Sequence, residues 1–176
     1  MELREASVVL REWRRSDCDA LVVACQDPEI TRWLPFVPRP YTREDAETYL
    51  DACIESGPER IPFAIEDAQT GALVGSIDLR LNKHRYRGNV GYWVARDDRG
   101  RGVCTAALRA VARHGLDELS LARMELTTDT DNIASQRVAE KVGFQREGVL
   151  RAHLRHPEGR VRDSVMFSLL PGELRE

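Results

Sequence analysis

The sequence predicts a mixed α/β fold in which helices cover one sheet within a single domain, residues 1–176. The apolar patterns run in the order strand, two helices, three strands, helix, strand, helix and two strands, which is typical of one mixed sheet. A length of 176 residues is close to the usual size of one domain. Hydrophobic residues make up 42% of the chain and charged residues 31%, as in ordinary folded proteins.

The first part of the chain predicts a strand and two helices. A β-branched and apolar run predicts the strand, and Ser16 or Asp17 can cap the first helix. A proline-rich loop follows, because proline cannot continue a helix. Thr42 with Asp45 then resembles a capping box that opens the second helix. The predicted bounds are residues 7–13 for the strand and residues 16–25 and 42–56 for the helices.

Three strands come next in the sequence. The turn Gln69-Thr70-Gly71 favours a hairpin between the first two strands. A polar and basic loop separates the second strand from the third. The predicted bounds are residues 62–66, 73–81 and 89–95.

The second half opens with a glycine-rich turn, Arg99-Gly100-Arg101-Gly102, between a strand and a helix. The apolar face of that helix consists of Leu108, Val111 and several alanines. A later helix has apolar residues at i, i+4 spacing, and Gly143 is placed to end it. The predicted bounds are residues 103–119 and 132–142 for the helices and residues 124–128, 144–151 and 162–169 for the strands.

Charge and the amino terminus favour a cytoplasmic protein without a nucleic acid or membrane partner. The formal net charge is −3, whereas a nucleic acid backbone needs a concentrated positive surface. The first residues are charged where a signal peptide would be apolar, and no apolar run reaches the length of a membrane span. The cysteines form no C-x-x-C pair and match no histidine spacing, so neither a metal site nor a disulfide framework is expected.

The glycine-rich turn is the segment that indicates chemistry. A strand that leads through glycines into a helix presents unpaired N–H groups at the positive end of the helix dipole, where phosphate oxygens bind well. Gly100 and Gly102 lack a Cβ and can adopt positive φ, so the backbone can wrap a diphosphate closely. A tight structural turn would explain the same glycines. A Walker site would need a lysine after a glycine, and a Rossmann fingerprint would need a third glycine.

Two motifs resemble those of the GNAT acetyltransferase superfamily. Gly91-Tyr92-Trp93-Val94 and residues 99–105 are similar to its acetyl-coenzyme A motif, R/Q-x-x-G-x-G/A. Asn132-Ile133-Ala134-Ser135 and Glu140-Lys141-Val142-Gly143-Phe144 resemble the second motif of the branch that acetylates ribosomal-protein amino termini. The resemblance covers nearly the whole chain. It implies the GNAT fold, an α/β (α+β) arrangement with a mixed, mostly antiparallel central sheet of about seven strands flanked by about four helices.

The resemblance implies an acetyl-CoA-dependent N-acetyltransferase. A primary amine, either a protein N-terminal α-amine or a small-molecule amine, would attack the thioester directly in a ternary complex. Acetyl-CoA would be the cosubstrate, no metal would be needed, and the Val94 N–H would donate to the oxyanion. The implied cofactor-binding residues are Trp93, Val94, Ala95, Arg99, Gly100, Arg101, Gly102, Val103, Cys104, Thr105 and Asn132.

The implied general acid is Ser135. Many GNAT enzymes have a tyrosine where this chain has Ala139, and the matching branch uses a serine of the same helix instead. A helix serine can equally be a neutral packing residue. Asn132 either hydrogen-bonds the pantetheine arm or caps the helix, and both roles are compatible.

The general base is less well defined by sequence. The family often has a glutamate on the strand before the glycine turn, but this chain has Asn89 there, and an amide does not accept a proton usefully. Asp78 is the first candidate base, with a solvated structural role as the alternative. Behind it stand His84, His153 and Glu147.

Three further side chains have two interpretations each. Cys104 stands where the family usually has alanine or glycine; it either packs or, beside a helix N-terminus, has a lowered pKa and reacts with oxidants. Trp33 and Tyr41 lie in or beside the proline-rich loop, where they either wall an acceptor pocket or seal the core.

Two rival functions fit parts of the pattern. A non-catalytic acyl-CoA-binding sensor would keep the fold without turnover, and the missing tyrosine favours it. A plain nucleotide-binding domain would need only the glycine turn. The sequence leaves open the acceptor amine, the acyl chain and whether the chain forms a homodimer.

Overall fold

The computed structural model describes residues 1–155, 157 and 159–175. The strands are β1 (Glu2–Glu5), β2 (Val8–Arg11), β3 (Arg60–Asp67), β4 (Leu73–Leu81), β5 (Arg87–Val94), β6 (Arg123–Asp129), β7 (Gln145–Arg155) and β8 (Val161–Leu169). The helices are α1 (Cys18–Cys25), α2 (Pro28–Trp33), α3 (Arg43–Ile54), α4 (Val103–Arg113) and α5 (Ile133–Val142). None of the helices in this part of the chain combines the length and the apolar character that spanning a membrane requires.

These strands form one sheet in the order β1-β2-β3-β4-β5-β6-β8-β7. The neighbouring strands are antiparallel except β5 and β6, which run parallel. Parallel neighbours need a crossover connection, and α4 lies on the crossover between β5 and β6. The mixed, mostly antiparallel sheet with its flanking helices confirms the predicted fold class.

Two elements go beyond the sequence pattern. The predicted first strand is one half of a hairpin, in which β1 pairs with β2. The sequence of β1 is Glu-Leu-Arg-Glu. Three of its four residues are charged, so the segment has too few apolar positions for the sequence pattern to predict a strand. The helix α2 occupies the start of the predicted loop: Pro28 stands in its first turn, and Asp27 caps it by accepting a hydrogen bond from Glu29 N at 3.1 Å.

Helices cover both faces of the sheet. On one face, buried residues of α4 and α5 pack with Ile77 and Leu79 of β4 and with Val94 of β5. On the other face, α1 and α3 pack around Ala64 and Trp13. Successive side chains of a strand point to opposite faces, so Tyr92 packs against the α4–α5 layer and Trp93 against the α1–α3 layer. Residues 92–94 therefore reach both sides of the sheet.

Candidate active site

The strands β5 and β6 pair at their first residues and then separate. The parallel ladder joins residues 87–89 of β5 to residues 123–125 of β6. The strand β5 stays paired with β4 up to Val94, which lies opposite Gly75. The second edge of residues 90–94 is therefore free of β6, and we call the space beside this edge the gap.

The β4–β5 ladder determines which main-chain groups face the gap. Ala95 N–H donates to the Val74 carbonyl at 2.8 Å, and in an antiparallel ladder every second residue bonds to the same partner. The main-chain groups of Trp93 and the N–H of Ala95 are therefore directed at β4, whereas Val94 directs its own groups into the gap. The Ala95 carbonyl accepts from Asp98 N at 3.1 Å in the next turn. In agreement, the Val94 carbonyl accepts a hydrogen bond from Arg99 Nε at 3.1 Å. Of the three residues expected to contact pantetheine, Val94 is therefore the one whose N–H faces the open side.

The loop before α4 presents an open backbone surface. Gly100 and Gly102 have φ of +76° and +82°, a conformation that favours glycine. A Cβ built on either residue would meet no heavy atom within 4 Å, so the space above the loop is open. Gly102 is the N-cap of α4, and the first N–H groups of a helix have no partner within it. The loop and the first turn of α4 therefore form an anion-binding surface that fits a diphosphate.

The two arginines of this loop are engaged by carboxylates. Arg99 forms an ion pair with Asp27, the N-cap of α2. Arg101 contacts Asp98 at 2.6 Å and Asp67 at 3.3 Å. These contacts tie the loop to α2 and to the turn after β3. In this arrangement the arginines hold the shape of the loop, and anion binding by the backbone amides stays a prediction.

Ser135 lies in the first turn of α5 and is tied to both sides of the gap. Asn132 is the N-cap of α5, and its Oδ1 accepts a hydrogen bond from Ser135 N at 3.1 Å. The Ser135 hydroxyl lies 2.9 Å from the Tyr92 hydroxyl. Because Tyr92 belongs to β5 and α5 follows β6, this contact bridges the strands that part. The capping role of Asn132 is thus present, while its contact to pantetheine stays a prediction.

Sequence reasoning gave Tyr92 no role of its own. Tyr92 is part of the motif run that suggested the family, but the pairing of its hydroxyl with Ser135 spans 43 positions of the chain. One signal was available: Tyr92 and Val94 are two residues apart on a strand, so their side chains share a face. That face is the one that α5 covers.

The pKa of the Cys104 thiol is shifted in the direction opposite to the one that a reactive thiol would need. Burial raises the pKa of Cys104 to about 12, so the neutral thiol dominates near pH 7 and the helix N-terminus does not produce a thiolate. The favoured role is packing, since Cys104 packs against the same apolar cluster as Tyr92. Reactivity of a cysteine depends on the thiolate, which this environment suppresses.

Asp78 is the partner of two guanidinium groups. Its carboxylate accepts from Arg60 Nε at 3.1 Å and from Arg80 Nε at 2.9 Å, and the residue is 7% exposed. Both contacts are charge-assisted hydrogen bonds, so the Asp78 carboxylate already has two arginine partners in the sheet. Its role as base stays a prediction.

The other candidate bases divide by their position along the sheet. Arg123 and Ser168 hold the pKa of Glu147 down to about 2. Arg123, the partner of Glu147, starts β6 beside the start of β5. Residues 87 to 94 span about 23 Å of strand, so Glu147 lies at the end of β5 that is far from Val94. His84 precedes β5 at that same end. His153 Nδ1 lies 3.0 Å from Ser164 Oγ, opposite the last residue of β6 and at the same end of the sheet as Val94.

The two aromatic residues of the predicted acceptor wall have different surroundings. Tyr41 is 7% exposed within the α1–α3 layer, and burial raises its pKa, so the core-sealing interpretation fits it. Trp33 is half-buried, and the Arg162 guanidinium lies 5.8 Å from its ring. Arg162 also contacts Asp129, the last residue of β6, at 2.7 Å. Trp33 therefore stands close to the open end of the gap.

Comparisons with known proteins agree with this geometry. The sequence model of the family described as acetyltransferase (GNAT) domain matches residues 7–145. N-acetyltransferase p20 of Bacillus licheniformis is 28% identical over 170 residues, which are 94% of each chain. The ribosomal-protein-serine acetyltransferase of Escherichia coli is 31% identical over 80 residues, 45% of each chain. The structure of Mycobacterium smegmatis RimJ in complex with CoA-disulfide has a TM-score of 0.84 at 27% identity and covers 100% of this chain and 88% of that chain.

The chain belongs to the GNAT acetyltransferases, because the family match covers most of its length. It is an acyltransferase of the N-acetyltransferase type, and the cosubstrate of this family is acetyl-CoA. The residues present fit that molecule: the loop at residues 99–105 offers an open diphosphate surface, and the gap beside Val94 offers main-chain partners for the arm that carries the thioester.

The glycine surface can be tested with Gly102→Ala. The added methyl group would occupy the open side of the loop and strain a residue at φ +82°; loss of amide contacts to the diphosphate should raise the Kd for CoA about tenfold or more. Gly172→Ala is the matched control, because Gly172 also has positive φ and open space around its Cβ, but it lies after β8. Calorimetric titration with CoA measures both. Equal affinities of the two variants would contradict the placement of the diphosphate.

Proposed function

We propose that this enzyme transfers the acetyl group of acetyl-CoA to a primary amine by direct attack in a ternary complex. The observation that supports this best is the gap between β5 and β6, because it connects the two faces of the sheet. The loop at residues 99–105 lies at one end of the gap, and Val94 and Ser135 line it. A donor molecule can lie in the gap while an acceptor approaches from the α1–α3 side. Trp93 and Trp33, the last residue of α2, lie on that side.

Each step of the transfer has a candidate group in this chain. The Val94 N–H, directed into the gap, donates to the carbonyl oxygen that gains negative charge when the amine attacks. The Ser135 hydroxyl donates a proton to the sulfur that leaves as CoA. The backbone amides of residues 100–105 hold the diphosphate, so the thioester stays in register with these two donors.

Proton removal from the amine does not require a carboxylate of the protein. An unperturbed α-amine has a pKa of about 8, so roughly a tenth of it is neutral at pH 7. Water can accept the proton. His153 is the candidate base that lies at the same end of the sheet as Val94. Asp78 remains a candidate by position, three residues along the β4–β5 ladder from Val94, and its carboxylate is ion-paired with Arg60 and Arg80.

Within the acceptor classes we favour a protein N-terminal α-amine. The E. coli relative is named a ribosomal-protein-serine acetyltransferase, and the M. smegmatis structure is of RimJ. The test is release of CoA thiol from acetyl-CoA in the presence of peptides with free or blocked amino termini and of small amines. Turnover with free amino termini only is the expected result. Turnover with small amines alone would overturn the acceptor class, and tight acetyl-CoA binding with no turnover on any acceptor would favour a sensor.

The general acid can be tested with Ser135→Ala. Loss of the hydroxyl should lower kcat about ten- to a hundredfold, because general acid catalysis contributes at this scale, and should leave the Kd for acetyl-CoA nearly unchanged. Ser16→Ala is the matched control, because Ser16 is exposed and lies before α1. Steady-state kinetics with the best acceptor measures both variants. Unchanged turnover in Ser135→Ala would remove Ser135 from the mechanism.

A further inference from the structure

We propose that Tyr92 is a positioning residue of the transfer reaction, which orients the Ser135 hydroxyl toward the leaving sulfur. The proposal rests on the proposed function of Ser135 as general acid and adds a specific partner to it. It starts from the 2.9 Å contact between the two hydroxyl groups.

The contact crosses the place where the sheet opens. Tyr92 is two residues before Val94 on the free edge of β5, and its ring packs against the α4–α5 layer. Ser135 lies on the helix that follows β6, beyond the ladder that ends at residues 89 and 125. The Tyr92–Ser135 pair is therefore a link between the two walls of the gap, and a small relative movement of the walls would change where the serine hydroxyl lies.

Counting protons defines what the pair can do. The Tyr92 hydroxyl has one proton to donate, and two acceptors are near it: Ser135 Oγ at 2.9 Å and the Ser135 carbonyl oxygen at 3.3 Å. When the phenol donates to Oγ, the serine proton is left free to point into the gap. The same donation stabilises negative charge on Oγ as the serine proton moves to sulfur. The proton that the attacking amine releases to water then restores the Ser135 hydroxyl. Tyr92 thus supplies both the direction and the acidity that an isolated serine lacks.

The surroundings keep Tyr92 in the donating state. Burial raises the pKa of its phenol above the ordinary value near 10, so the proton stays on the oxygen throughout the pH range of an enzyme assay. The phenol consequently keeps the proton that it can donate to Ser135 Oγ, and it is not itself consumed in the reaction.

A second tyrosine–serine pair provides a matched control within the same chain. Tyr49 of α3 lies 3.0 Å from Ser76 of β4, hydroxyl to hydroxyl, and burial raises the pKa of Tyr49 as well. This pair lies on the α1–α3 side of the sheet, away from Ser135. Loss of its hydroxyl removes a comparable hydrogen bond without touching the general acid.

The test is a double-mutant cycle on kcat. Tyr92→Phe keeps the ring and should lower kcat about tenfold with KM for acetyl-CoA unchanged, and it should have no further effect in the Ser135→Ala background, because residues that act as a unit are not additive. Tyr49→Phe should leave kcat within about twofold in either background. If Tyr92→Phe lowers kcat equally with and without Ser135, or raises KM alone, the positioning role is overturned while the acid role stands. If Ser135→Ala itself has full activity, the acid role fails first.

Discussion

The separation of β5 from β6 is the constraint on which the site depends. Parallel strands normally continue their ladder, because buried N–H and C=O groups need partners. Here the ladder ends after residue 89 while β4 holds β5 straight to Val94 and β8 holds β6 to Asp129. The free edge is thus imposed by the neighbours of each strand. It provides a set of oriented backbone groups for a substrate.

The same geometry links cofactor binding to the acceptor side. The chain leaves Val94, passes through the loop at residues 99–105 and enters α4, so the proposed oxyanion donor and the proposed diphosphate surface are a few residues apart. Arg99 contacts the Val94 carbonyl and also Asp27 at the start of α2. These contacts therefore connect the loop, the gap and the segment that carries Trp33. On the α4–α5 side of the sheet, the Tyr92–Ser135 contact links the two walls of the gap.

Local patterns predicted the elements of the fold better than the contacts of the site. The strand predicted at residues 73–81 is β4 in full, since the alternation of Ile77, Leu79 and Leu81 with polar residues is a local pattern that needs no distant partner to be recognised. The helix predicted to residue 119 leaves α-helical geometry after Arg113 and continues as a π turn. The glycine loop was predictable because positive φ is a local property. The ion pairs of Asp78, the burial of Tyr41 and Cys104, and the Tyr92–Ser135 contact depend on pairing across the sheet, which no local pattern contains.

Amide hydrogen exchange, followed residue by residue with and without acetyl-CoA, tests the role of the gap most directly. In the free protein the Val94 N–H should exchange faster than that of Trp93, which points at β4. Acetyl-CoA should slow exchange at Val94 and at residues 100–105 together. Protection at the loop without any change at Val94, or a slow Val94 amide before the donor is added, would contradict the placement of the thioester beside the open edge of β5.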